Sequence, residues 1–369
     1  LRPFPSSGRR LAGALTALAL SVPLTTGLAA APAAAATVWT PYDPPLSGST
    51  LQRAVGDVLP FGPSDAFAAG AEYSPWGDAP GGPRLWRWNG TAWSGLALPS
   101  GAETGGEVAL AGTAPDDVWA FSRHVTGRHP GHHWDGRTWT TGGPGLEDFQ
   151  PVDAHALTRT DVWAVGDDRT DGGFHAAVAH YDGSAWSVVR VPGADTLGVT
   201  LHAVRAVAAG DVWVAGTAGG QPYAAHWDGR AWTRIATPAV PGGASLTAVA
   251  AGNGAVSLGG TSATPSNRAF VLHRTATGWT TTHPLASAGR LRSLTYSGDR
   301  LVAGLARPAG AGDCGTACVA EWTGTAWTGR AAPLVRSEAV ELTGIPGGGL
   351  WAATTSSLDR SEHLARSTP

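Results

Sequence analysis

The chain has 369 residues with 25 Arg, no Lys and 28 Asp plus Glu, a formal net charge of −3. A mildly acidic chain without a basic run argues against nucleic acid as a partner. Beyond the first 36 residues no apolar stretch is long enough to span a membrane.

In chain order, Arg2, Arg9 and Arg10 precede an apolar run from Leu11 to Leu20, and small residues follow to Ala33-Ala34-Ala35-Ala36. This is the pattern of a signal peptide over residues 1–36, so the mature protein is expected to be secreted. Its removal takes three Arg and no acid, leaving 22 Arg against 28 acids, a net −6. Residues 37–369 read as a single domain.

That domain is periodic. Trp93, Trp139, Trp186, Trp232, Trp279 and Trp327 fall 46, 47, 46, 47 and 48 residues apart, with Trp39 lying 54 before the first. A period in the forties with strand-like surroundings marks a β-propeller blade. The unit shows in Asp161-Val162-Trp163-Ala164-Val165-Gly166, followed by His180-Tyr181-Asp182-Gly183-Ser184-Ala185-Trp186. Asp211-Val212-Trp213 with His226-Trp227-Asp228-Gly229, and Asp117-Val118-Trp119 with His133-Trp134-Asp135-Gly136, repeat it. Val, Trp and Tyr suit a pleated, packed surface, and Asp-Gly or Asn-Gly supplies the left-handed positions of a tight hairpin. An apolar run upstream, such as Leu201-His202-Ala203-Val204-Arg205-Ala206-Val207, completes four strands per repeat, a to d from the axis outward. The Asp before Val-Trp is expected to bond backbone N–H groups of the preceding turn.

The last repeat has Leu350-Trp351-Ala352-Ala353 and Glu362-His363-Leu364-Ala365, then ends without a fourth strand. Thr37-Val38-Trp39-Thr40-Pro41 is available to supply it. The fold expected is all-β: a seven-bladed β-propeller of four-stranded antiparallel blades, closed by the N-terminal strand completing the last blade, which hides the sheet edges.

A strand ending in Gly, an aromatic–Asp turn and a Trp a few residues on resemble the kelch repeat across residues 37–369. This implies the propeller fold of the galactose oxidase central domain, as in tandem-repeat propellers secreted by actinobacteria. It departs from that pattern in having a single Gly at Gly166 and Gly216, with a pair at Gly259-Gly260. The resemblance speaks to fold, because one fold hosts many functions.

The b–c and d–a connections vary in length and composition, so binding is expected on the face they share. In blade one this face carries Glu72, Tyr73, Trp76 and Asp78. An aromatic beside carboxylates suits a sugar, or else folds back as a small local core. In blade three Asp167, Asp168 and Asp171 offer oxygens for Ca²⁺, or serve as turn formers; no other cofactor is expected. Histidines recur at one repeat position (His133, His180, His226, His273, His363), where a hydrogen-bonding role between blades is expected rather than a metal. His124, His129 and His132 are off the repeat and form a polar loop or a weak metal site. Cys314 and Cys318 share a Gly-rich loop and in an exported chain are expected to form a local disulfide.

The functional reading is a secreted, monomeric binding module for extracellular glycan or cell-wall material, with a protein-interaction propeller as the alternative. An enzyme ranks below both. A copper oxidase needs a Tyr–Cys cross-link, and the two cysteines are better paired with each other. A glycosidase of the sialidase type needs an arginine cluster that cannot be placed.

Overall fold

Each aromatic repeat folds into a sheet because its tryptophans are packing residues. In the computed structural model the residues described are 38–49, 51–74, 82–98, 108–122, 131–141, 144–263, 267–284, 289–308, 318–334, 337–356 and 361–368. They form strands and turns, with no helix among them. Residues Ala36–Pro369 make one compact unit; the other unit, Leu1–Ala35, lies outside the described residues.

Five antiparallel sheets of four strands run in chain order. They are β2 (Gln52–Gly62) to β5 (Trp93–Leu96), β6 (Val108–Ala114) to β9 (Trp139–Thr141), and β10 (Phe149–Thr158) to β13 (Trp186–Arg190). Next come β14 (Val199–Ala208) to β17 (Trp232–Ile235) and β18 (Ala244–Gly252) to β21 (Gly278–Thr282). Within these sheets the second and third strands are β3 (Asp65–Tyr73), β4 (Gly82–Trp88), β11 (Asp161–Asp168) and β12 (His175–Tyr181), with the others placed likewise. The remaining strands are β22 (Arg290–Ser297) to β25 (Trp327–Arg330), β26 (Ser337–Gly344), β27 (Leu350–Ser356), β28 (Glu362–Ser367) and β1 (Trp39–Pro41). They count as one eight-stranded sheet because the pair Ala306 and Ala339 joins two four-stranded groups. As expected from the sequence, β1 pairs antiparallel with β28, Trp39 opposite Ser367 and Pro41 opposite Ala365.

Apolar side chains fill the gaps between neighbouring sheets, as where Trp163, Val165 and Val178 meet Leu201, Val204 and Tyr223. The Trp period has its cause here. The b-strand Trp of one sheet packs on the d-strand Trp of the next: Trp119 on Trp186 (5.2 Å between centroids), Trp163 on Trp232 (6.0 Å), Trp213 on Trp279 (6.1 Å). Trp351 of the last sheet meets Trp93 of the first at 5.1 Å by the same rule. Off-repeat Trp86 is also core, and its Nε1 donates to Pro45 O at 3.3 Å.

The single Gly falls inside strand b rather than at its end, and it is there because a side chain has no room. A Cβ on Gly166 would lie 1.9 Å from Gln150 O, one on Gly216 1.9 Å from Thr200 O, and one on Gly70 2.0 Å from Ala54 O. Each faces the β-bulge of its strand a, where the register slips between Pro151 and Asp153, Leu201 and Ala203, and Val55 and Asp57. In the c–d hairpins Gly136, Gly183 and Gly229 take φ of 95°, 96° and 90°. The preceding Asp Oδ1 accepts two N–H bonds, for Asp182 from Ser184 (2.9 Å) and Ala185 (3.0 Å).

Two expectations are corrected. The Asp before Val-Trp does not serve the turn: Asp161 Oδ1 accepts from Trp163 Nε1 at 2.5 Å and meets His180 Nε2 at 3.0 Å. The recurrent His therefore works mainly within its sheet, pairing with Asp117, Asp161 or Asp211 across strands b and c. His180 also stacks on Trp163, centroids 3.9 Å apart. Where His is replaced the bond survives in another form, Arg87 with Asp65 (3.0 Å), and with charges exchanged, Arg300 with Glu321 (2.9 Å). His273 likewise hydrogen-bonds within its own sheet, to Ser257 and Thr282, and reaches the next sheet only by stacking on Trp322.

Cys318 is fully buried, and no described cysteine is free; Cys314 lies outside the described residues.

Candidate functional site

The seven strands a (β2, β6, β10, β14, β18, β22, β26) pack each on the next, and β2 also packs on β26. Together they line a cavity of about 840 Å³. Strand pairing identifies equivalent positions around it. Asp57, Ala109, Asp153, Ala203, Ala248, Ser293 and Glu341 face Ala69, Phe121, Val165, Ala215, Gly259, Gly304 and Ala353, the positions two residues past the Trp of strand b or its counterpart. Three carboxylates thus share one level of the cavity, and His155 and Arg205 share the level two residues on.

These groups bind the sheets together. Asp57 Oδ2 accepts from Leu110 N of the next sheet, and Asp153 Oδ2 from Val204 N, both at 2.8 Å. Ser293 Oγ at the same level accepts from Leu342 N at 2.7 Å. From the last sheet to the first, Glu362 Oε2 accepts from Val55 N at 2.5 Å and Ser361 Oγ from Arg53 N at 3.0 Å. Strand a has a free edge at the axis, and these side chains satisfy N–H groups that would otherwise be unpaired.

The electrostatics are unusual. Burial pushes the Asp57 carboxyl up to about 6, against the bonds from Leu110 and Val58. Asp153 rises to about 7, through burial first and then the nearby Asp57 charge. Glu341 rises to about 7, also through burial, although Arg292 opposes it with a contact at 3.3 Å. Burial and the Arg205 charge push His155 down to about 3. Burial also lowers Arg205, against the Asp153 charge. Walls of protein on all sides disfavour every charged form here, while the cavity leaves each side chain partly accessible.

On the b–c and d–a face the structure sorts the sequence-predicted residues. Glu72 is 2% exposed. It accepts from Ser47 N at 2.8 Å, from Ser47 Oγ and from Arg84 Nε at 2.9 Å. Burial raises its carboxyl, but the Ser47 and Arg84 bonds outweigh this and hold it below the usual range. Its expected role as a sugar acceptor gives way to anchoring the segment before β2. Tyr73 is exposed at the end of β3. Trp76 and Asp78 lie outside the described residues, as do His124 and His129; His132 is buried in β8 (His132–Trp134).

In blade three, Asp168 and Asp171 meet as expected, but around an arginine. Arg190 donates to Asp168 (2.8 Å), Asp171 (2.8 Å) and Asp195 (3.0 Å), and His175 bonds Asp171 and Asp195. The Arg190 bond leads the causes that hold Asp171 at about 2. A guanidinium already occupies the centre expected for Ca²⁺, and among the described residues no group of three or more His, Cys, Asp or Glu is arranged to hold a metal. Asp167 sits in β11 opposite Gln150 and Ala176. Sequence reasoning missed Phe174, 64% exposed in this connection, with the Arg169 guanidinium 4.5 Å from its ring centroid. An aromatic off the Trp period, after Gly172-Gly173 in an acidic loop, was its signal.

No protein-family model matches the sequence, and no curated protein does. Solved structures are similar in fold. "YCF48 bound to D1 peptide" is 11% identical with a TM-score of 0.58, over 89% of this chain and 98% of that one. The WD40 β-propeller domain of Doa1 is 10% identical with a TM-score of 0.54, over 86% and 97%. The β-propeller domain of the Trilobed protease from Pyrococcus furiosus is 8% identical with a TM-score of 0.58, over 86% and 93%. The chain has the β-propeller fold.

Proposed function

We propose that the protein is a secreted seven-bladed β-propeller, its ring closed by β1 on β28, that binds extracellular glycan or cell-wall material through its b–c and d–a face. The observation carrying this is Phe174. Its ring is 64% exposed in an acidic connection, with the Arg169 guanidinium 4.5 Å from its centroid, and so presents a flat apolar face to solvent beside polar groups. An apolar sugar face stacks on such a ring, and the hydroxyls bond the neighbouring Asp171 and Asp195. Tyr73 and Leu197 are also exposed, at connections of the same b–c and d–a type, and Trp76 belongs to the same proposal. Export by residues 1–36, a monomeric state, a Cys314–Cys318 disulfide and a kelch-like ancestry complete the reading.

The test is retention of residues 37–369 on a panel of glycans and cell-wall polysaccharides, with metals removed and then restored. Saturable retention lost in Phe174→Ala is expected, with Trp76→Ala testing the blade-one loop. Failure of every glycan, or full retention by Phe174→Ala, overturns the assignment, and a single saturable protein partner would replace it.

A further inference from the structure

We propose that the axial cavity is a second binding site, separate from the loop face, for a small zwitterion. Asp57 and Asp153 would take its ammonium group and Arg205 its carboxylate. The cavity, about 840 Å³, lies within the range of small-molecule sites, roughly 300–1,000 Å³.

The argument rests on charges that the fold keeps apart. Among the described residues no ion pair joins Asp57 or Asp153 to a cation; their bonds are to backbone N–H groups, Leu110 and Val204 of the neighbouring sheet and Val58 and Ala154 of their own strands. Arg205, on the strand next to Asp153, likewise has no hydrogen-bond acceptor among the described residues. Asp153 and Arg205 are close enough to feel each other's charge, yet sit two positions apart along their strands and form no contact pair. Two positions along a strand is about 6.6 Å. Opposite charges desolvated in one cavity normally collapse onto each other, because each alone is expensive. Here the latch bonds pin Asp153 to Val204 N and prevent that. A molecule carrying both charges can satisfy both ends without moving the wall. Thr247 Oγ1, also in the lining, is buried with no hydrogen-bond partner among the described residues and gives a third polar contact.

The test is calorimetric titration of residues 37–369 with free α-amino acids of both hands, β-alanine, γ-aminobutyrate and dialanine. The best binder is then compared with its N-acetylated and its amidated forms. Saturable binding is expected, weakened about tenfold or more by either cap, since each removes one charge-assisted contact. Asp153→Asn keeps an acceptor for Val204 N–H and should weaken binding while leaving a cooperative thermal transition. Arg205→Gln should do the same. The capped ligands test the proposal on the unaltered protein, so a variant that fails to fold does not shield it. No binding by any member, equal binding of the capped forms, or unaltered binding by folded Asp153→Asn overturns it. Loss of Phe174 should leave this binding intact, which separates its failure from that of the glycan reading.

Discussion

Replacing Asp153 by asparagine isolates the cost of holding a carboxylate at the axis. In the folded protein burial lets this carboxyl keep its proton up to about pH 7, against an ordinary value of 3.8 in the unfolded chain. Between those values the folded state binds more protons, so this group's contribution to stability is present at low pH and is lost as pH rises from 4 to 7. The rise from 3.8 to about 7 sets a ceiling of about 4 kcal/mol, at roughly 1.4 kcal/mol for each tenfold change in proton affinity. The side chain is partly accessible to water within the cavity, so we expect about 1–2 kcal/mol after solvent relief. Asn retains the acceptor for Val204 N–H but cannot ionise. Asp153→Asn should therefore raise the melting temperature by about 2–5 °C at pH 8 and change it by about 1 °C or less near pH 3.5, below the titration of the unfolded carboxyl. His155, pushed down to about 3, works in the opposite sense, destabilising the fold as pH falls below 6.5. It is present in both proteins and cancels in the difference. Thermal scans at the two pH values decide the matter. An equal loss of stability at both would mean that the oxygen matters through its latch bond alone and that burial does not disfavour its charge.

Gly166→Ala should cost about 3 kcal/mol or abolish folding, because no rearrangement short of breaking the bulge moves a Cβ placed 1.9 Å from a backbone oxygen; soluble yield and urea unfolding report it. Gly172→Ala is the control, at about 1 kcal/mol, since its φ of 80° is strained but nothing lies within reach. His180→Ala should cost about 1–2 kcal/mol through the lost Asp161 bond and Trp163 stack, read by the same assay. Tyr42→Ala removes the ring that meets Trp88 at 4.7 Å beside the β1–β28 pairing. It should cost about 2–3 kcal/mol, and deletion of residues 1–49 should bare the β28 edge and give oligomers by size-exclusion chromatography.

The architecture was legible because packing repeats with the blade. Trp119 meets Trp186 and Trp163 meets Trp232, so the period is written in large residues whose packing recurs from sheet to sheet. The turn chemistry was legible at Asp182-Gly183 for a similar reason, a left-handed φ with a side chain that caps it. Glu72 misled because a carboxylate next to an exposed Tyr looks the same in sequence whether it faces solvent or Ser47 and Arg84. The Asp168–Asp171 cluster misled because Arg190, which neutralises it, comes from the outermost strand of the same sheet, 19 residues beyond Asp171.

The axis was hidden for a different reason. Recurrent histidines on strand c lie around a wide ring and do not converge, which made convergence look like an unpromising idea. Strand a is where equivalent positions do converge, and there the repeat is weakest. A bulge residue such as Val152 or His202 shifts the count by one, and the pair β26–β27 places its bulge elsewhere, between Ser337 and Ala339. Asp57, Asp153 and Glu341 thus fall in line only when each is referred to its partner on strand b. Inner strands carry few inter-blade aromatics, so packing tolerates an Ala, Ser or Asp at one level. That tolerance is what leaves the axial position open for chemistry.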